Sequence, residues 1–194
     1  MTPIKLIILD RDGTINQNSD EYIKSVDEWL PLPGAFEAIA RLNHAGWHVV
    51  LASNQSGLGR GLSAVTDLNE IHTKMHQQLA AVGGRIDAVF FCPHLPSEGC
   101  HCRKPKSGLF EQIAERFCID LTGVPVVGDS ARDLIAGANV GCEPHLVCTG
   151  NTILYPGDAL PPEFPADTHV HADLGAFADY WIGRDTVDAA SSRI

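Results

Sequence analysis

Asp10 and Asp12 stand two residues apart, directly after the apolar run Lys5 to Leu9 ("KLIIL"), with Gly13 and Thr14 following at once. Like charges at the end of a buried run repel each other. A divalent cation offsets that repulsion, since Mg²⁺ is bound by one or two carboxylates together with waters and a substrate's phosphate oxygens. Residues two apart on a strand point to the same side. If the chain stays extended past Leu9, Asp10 and Asp12 face together and Arg11 faces away. A second run, Val124 to Gly128 ("VPVVG"), leads into Asp129, Ser130 and Asp133. Asp129 by itself reads as a helix N-cap, a role Ser130 fills equally well. The two segments together suggest a cation site.

Two further groups carry chemistry. "VVLASNQSG" ends an apolar run with Ser53, Asn54, Gln55 and Ser56, and "CRKPKSG" brings Arg103, Lys104 and Lys106 together in a chain with only 14 Lys and Arg residues. Three cations in four positions just before a helix can form an anion site. Charge alone leaves that reading level with a solvated basic loop. "CPHLPSEGCHC" places Cys92, His94, Cys100 and Cys102 within eleven residues. Four such ligands close a tetrahedral Zn²⁺ site, which makes its role structural. That site orders the 92–102 loop and aims Arg103 and Lys104. His101 is a spare ligand between a better pair. Cys118, Cys142 and Cys148 read as small core residues.

The elements that must position these groups alternate. Strands are expected at 5–9, 47–53, 87–91, 124–128, 145–148 and 168–172, and helices at 34–46, 67–82, 109–118, 131–141 and 174–182. Strict alternation predicts an α/β fold, a Rossmann-like parallel sheet with helices on both faces. Ligands then sit outside the carboxyl ends of the strands, where each of the groups above falls. Residues 16–32 read as a polar loop with aromatics, and 150–167, with four prolines, as an irregular surface excursion. No segment is long enough for a cap, so residues 1–194 are expected to form a single capless domain carrying a small zinc-bound loop.

A formal charge of −10 over 194 residues argues against nucleic-acid or anionic-membrane partners. No run approaches a membrane span and no signal peptide is visible. The cytoplasm, a monomer and six reduced cysteines are therefore expected.

"DRDGT", a hydroxyl ending the next strand, a lysine, and "GDSARD" resemble the four motifs of the haloacid-dehalogenase-superfamily phosphatases. The resemblance implies roles. Asp10 is the nucleophile, Asp12 the acid and base, and Ser53 and Lys104 hold the phosphoryl oxygens. Mg²⁺ sits on Asp10, the Asp12 carbonyl and Asp129, and Asp133 orients Lys104. The zinc loop with "DRDGTIN", "SNQSG", "GRG" and "CHCRKP" is similar to the D-glycero-D-manno-heptose 1,7-bisphosphate 7-phosphatases. That likeness implies removal of the 7-phosphate of a phosphorylated sugar, with the β-anomer favoured, on the route to lipopolysaccharide. It selects Lys104 over Lys106, and it implies substrate contacts from Ser19, Asp20, Glu21, Tyr22, Ser53, Asn54, Gln55, Ser56, Arg60, Arg103 and Lys104. The alternative is a histidinol-phosphate phosphatase, whose family shares the motifs and the zinc loop. A cationic substrate of that kind would suit Asp20 and Glu21.

Overall fold

The computed structural model describes residues 4–19, 23, 25–61, 64–155 and 158–191. Its strands are β1 (Leu6–Leu9), β2 (His48–Asn54), β3 (Ala88–Cys92), β4 (Pro125–Gly128), β5 (Glu143–Val147) and β6 (His169–His171). Its helices are α1 (Ala35–His44), α2 (Ser56–Gly59), α3 (Val65–Ala81), α4 (Gly108–Phe117), α5 (Ala131–Ala138) and α6 (Leu174–Ser191). All strands pair in parallel in the order β3-β2-β1-β4-β5-β6. The chain reverses its direction of travel across the sheet between β1 and β4, and a crevice opens beyond strand ends at such a switch point.

Alternation along β1 divides the interior. Ile7 and Leu9 face a cluster with Val49 and Leu51, covered by Phe36, Ile39 and Leu42 of α1, Met75 and Leu79 of α3, and Phe177 and Trp181 of α6. Leu6 and Ile8 face the opposite cluster with Val50, Val126 and Leu146, covered by Leu109, Phe110 and Ile113 of α4 and Leu134 of α5. Burial on both faces is why the strands read as continuous apolar runs.

The expected elements are present with ends shifted by a few residues. The short α2 lies where the sequence suggested a turn, and α6 runs on past Gly183 to Ser191. Cys142 is buried as expected and Cys148 half-buried. Cys118 is a correction: it is exposed, because it closes α4 in the left-handed conformation (φ 53°) and projects beyond the helix. The loop of residues 16–32 is less polar than its composition suggests. Trp29 is fully buried and stacks on Phe36 at 6.0 Å, and Lys74 of α3 donates to the Val26 and Trp29 carbonyls at 2.8 and 3.0 Å.

At the β6 edge, His145 and His171 are buried, with His145 Nδ1 3.0 Å from His171 Nε2. Burial, followed by neighbouring imidazoles, pushes His171 down to about 4 and His145 down to about 2. His169, Glu143, Tyr180 and Arg184 are the other ionisable groups facing them. An unfolded histidine titrates near 6.5. The folded state thus holds fewer protons than the unfolded one from about pH 6.5 down to 4, and stability is lost as pH falls through that window. His171→Gln keeps hydrogen-bonding capacity without a charge to gain. Its Tm should therefore decline less than the parent's between pH 6.5 and 4, by about 5 °C. Parallel Tm–pH curves would show that His171 does not carry this sensitivity.

Candidate functional site

The cleft of about 210 Å³ at the switch point is lined by Asp10, Asp12, Asn18, Ser19, Ile23, Ser53, Asn54, Gln55, Ser56, Gly57, Arg103, Lys104, Arg132, Asp133 and Asn151. Asp10 leaves β1 still paired to the neighbouring strand, its N–H donating to Val127 O at 2.9 Å, so it lands beside the end of β4. Ser130 takes the cap position of α5 and donates its hydroxyl to Asp133. Asp129 is thereby left free of the cap and is fully buried beside the cleft.

Oxygens of Asp10, Asp129 and Asp133 converge within 4.8 Å of one another, all three residues being buried. Into this cluster comes Lys104, 2% exposed, its Nζ 2.7 Å from both Asp10 Oδ1 and Asp133 Oδ1 and donating to Ala52 O at 2.6 Å. Desolvation, then the Asp133 charge, pushes Asp10 up to about 7, and desolvation followed by Asp133 pushes Asp129 up to about 6. Burial pulls Lys104 down, but Asp10 and Asp133 outweigh it and hold its ammonium above the usual range. Three carboxylates against one ammonium leave two negative charges. Asp129 Oδ1 and Asp133 Oδ1 are buried without a well-aligned hydrogen bond. A surplus of two charges among hard oxygen donors fits a divalent cation such as Mg²⁺.

Asp12 behaves differently from the expectation of an extended chain. The strand conformation ends at Leu9 and the backbone turns back, Ile15 N donating to Arg11 O at 2.8 Å. Gly13, at φ 87°, makes that turn possible without strain. Arg11 therefore does not point away. It is 1% exposed and forks onto Asp12, with Nε–Oδ1 at 2.9 Å and Nη2–Oδ2 at 3.0 Å. Asn16 and Gln55 donate to the same carboxylate at 2.8 and 3.1 Å. Burial raises the Asp12 carboxyl, but Arg11 and these donors outweigh it and hold it below the ordinary range. Gln55 also donates to Ser53 Oγ, tying the end of β2 to Asp12.

The segment carrying Arg103 and Lys104 is fastened from both sides. Asn54 exchanges two hydrogen bonds with the Lys104 backbone, at 3.0 and 3.1 Å. Arg103 Nη1 donates to Ser56 Oγ at 2.5 Å and to His94 O at 3.3 Å. Lys106 points elsewhere, its Nζ on the carbonyls of Gly99 and Cys100 at 2.6 and 2.8 Å. The soft cluster lies directly upstream. Cys92 Sγ is 3.5 Å from Cys100 Sγ and 3.5 Å from His94 Nδ1, Cys102 Sγ is 3.6 Å from Cys100 Sγ, and His94 Nδ1 is 3.2 Å from Cys102 Sγ. The sulfur edges of a tetrahedron with a Zn–S bond of about 2.3 Å come to about 3.8 Å. These spacings and the all-N/S donor set therefore fit Zn²⁺.

The other sequence candidates are placed less uniformly. Ser19 lines the cleft, while Asp20, Glu21 and Tyr22 lie outside the described residues. Arg60 is exposed at the end of α2 and is not among the residues lining the cleft. Asn18, Ile23, Gly57, Arg132 and Asn151 do line it without having been singled out. Arg132 was within reach of sequence reasoning, since it lies inside "GDSARD" beside Asp129. Asn151 gave no such signal, because it opens a stretch that reads as surface loop.

A HAD-hydrolase-like family model matches residues 101–176. The chain is 55% identical to the D-glycero-beta-D-manno-heptose-1,7-bisphosphate 7-phosphatase of Bordetella bronchiseptica, over 91% of this chain and 97% of that one. It is 47% identical to the same-named enzyme of Pseudomonas aeruginosa, over 89% and 95% of the two chains. The crystal structure of the B. bronchiseptica D,D-heptose 1,7-bisphosphate phosphatase, complexed with magnesium and phosphate, superposes with a TM-score of 0.87 at 54% identity, covering 93% of this chain and 99% of that one. With its parallel sheet, its acidic switch-point cleft and this likeness along nearly its whole length, the chain belongs to the family of heptose-1,7-bisphosphate 7-phosphatases of HAD-like fold.

Proposed function

We propose that the chain is a Mg²⁺-dependent phosphatase that removes the 7-phosphate of D-glycero-β-D-manno-heptose 1,7-bisphosphate. It would act as a cytoplasmic monomer supplying lipopolysaccharide precursors. The observation that carries this reading is the convergence of Asp10, Asp129 and Asp133 beside a buried lysine that pairs with two of them, in a chain 55% identical to an enzyme of that name. Asp10, Asp129 and the Asp12 carbonyl would hold Mg²⁺, which when bound supplies the positive charge that lets an anionic phosphoryl group approach a carboxylate.

Asp10 attacks phosphorus and forms an aspartyl-phosphate as the bond to the sugar's 7-oxygen breaks. Lys104 and Ser53 hold the phosphoryl oxygens, and Asp133 keeps Lys104 in place. Asp12 gives a proton to the leaving oxygen, then takes one from the water that attacks the aspartyl-phosphate and frees Asp10. Its fork with Arg11 favours the basic form needed for the second step. An arriving phosphoryl dianion pushes its pKa the other way, toward the acid needed for the first. Cys92, His94, Cys100 and Cys102 would hold a structural Zn²⁺, which would order the loop whose His94 carbonyl accepts from Arg103.

Arg103 and Arg132 give the cleft two guanidinium groups besides the committed Lys104. That suits the second phosphate of a bisphosphate better than the ammonium of histidinol phosphate, and so favours the heptose reading over its rival.

The test is phosphate release with Mg²⁺ from the β- and α-anomers of the heptose bisphosphate and from histidinol phosphate. The β-anomer should have the highest kcat/KM, and Asp10→Asn should reduce turnover to the blank. A preference for histidinol phosphate would reassign the substrate, and an active Asp10→Asn would remove Asp10 as nucleophile. Arg103→Ala deletes a charge-assisted contact worth about 1.5–3 kcal/mol, so kcat/KM for the bisphosphate should fall roughly 10- to 100-fold. A small phosphate ester should suffer less, and equal losses on both substrates would deny Arg103 a part in specificity. For Cys92→Ala, elemental analysis should find the chain's zinc, about one ion for a four-ligand site, largely gone. Undiminished zinc would rule out the Cys/His cluster as its site.

A further inference from the structure

The turn after β5 is fastened to the acidic cluster. Thr149 Oγ1 donates to Gly13 O at 2.7 Å, and Thr152 N donates to Asp129 O at 3.1 Å. Between them, Asn151 donates twice to one oxygen, its N and its Nδ2 each 2.6 Å from Asp129 Oδ2. Gly13 and Gly150 wall the same oxygen so closely that a Cβ at either would overlap it. A carboxylate with one oxygen boxed and doubly bonded has a single orientation. Its other oxygen, Oδ1, is buried with no hydrogen-bond partner.

The amide of Asn151 is itself fixed from outside. Asn151 Oδ1 accepts from Asn18 Nδ2 at 2.8 Å, and Asn18 lies beside Ser19 in the loop that lines the cleft mouth. An amide has one accepting and one donating end. The bond from Asn18 therefore selects the flip that turns the NH₂ toward Asp129.

We infer that Asn151 is a positioning residue that aims Asp129 Oδ1 at the bound cation, and that the chain Asn18–Asn151–Asp129 couples the substrate loop to cation affinity. This rests on the reading of Asp10 and Asp129 as Mg²⁺ ligands. Coupling of this kind is reciprocal: a substrate that orders Asn18 tightens the cation, and the cation steadies the loop by the same factor. Residues that orient metal ligands typically cost about 10- to 100-fold in metal affinity when removed.

The experiment is Mg²⁺ titration by calorimetry of the full chain and of Asn151→Ala, Asn18→Ala and the double variant, with turnover of the heptose bisphosphate measured across Mg²⁺ concentrations. Asn151→Ala should raise the Mg²⁺ Kd about 10-fold or more, and saturating Mg²⁺ should restore its kcat while KM for the sugar stays raised, because the bound cation no longer steadies the loop. Asn18→Ala removes exposed contacts, to Asn151 Oδ1 and from Ser19 N, so it tests the coupling even where Asn151→Ala folds poorly, and it should weaken Mg²⁺ by a smaller factor. The double variant should bind no worse than Asn151→Ala, because both act through one path. Unchanged Mg²⁺ affinity in both single variants would overturn the inference while leaving the phosphatase reading standing. Failure of the parent chain to bind Mg²⁺ would instead overturn that reading, and this inference with it.

Discussion

One lysine between carboxylates governs the site. Lys104 enters a buried pocket only because Asp10 and Asp133 each stand 2.7 Å from its ammonium. At about 5 Å, two like charges repel by roughly 3 kcal/mol with an effective dielectric of about 20. Asp10, Asp129 and Asp133 therefore cannot all stay ionised together on Lys104's single charge without cost, and Asp10 and Asp129 answer by holding their protons to higher pH. The fold accepts this cost where the sheet changes direction, and a divalent cation bound there would relieve it.

Much of the surrounding structure keeps that arrangement from collapsing. Asn54 clamps the Lys104 backbone, the thiol–imidazole cluster leads straight into Arg103, and Lys106 is spent on the loop's own carbonyls. Asp12, two residues from Asp10, is kept out of the repelling cluster by the fork of Arg11. Two neighbouring carboxylates thus have opposite electrostatic environments, one pushed up by burial and the other held down by a guanidinium. Such a divergence suits two different tasks in one reaction.

Reading the sequence succeeded where local periodicity and composition carry the information. The apolar runs ending at Leu9, Ser53 and Gly128 mark strands, and their polar termini mark the cleft. The side chains of Cys92, His94, Cys100 and Cys102 could be grouped by spacing alone because their loop is short. It failed where a local turn of the backbone or a contact between distant segments decides. Cys118 looked like a core residue, yet the backbone conformation that ends α4 exposes it. Residues 150–167 looked like an outer excursion, yet Asn151 returns to Asp129 across 22 positions. Arg11 was expected to face away, because strand alternation says nothing about where a strand stops.

The sequence by itself determined the α/β alternation, the identity of the chemical groups and their place at strand ends. These follow from side-chain period and residue type, which are local properties. Only the tertiary structure decided the distances at which the carboxylates meet, that Arg11 folds back onto Asp12, and that the turn after β5 holds Asp129. The reason is physical. Parallel pairing sets β1 beside β4, although 115 residues lie between Leu9 and Pro125, and which charges meet there depends on sheet order and register, which no local pattern encodes.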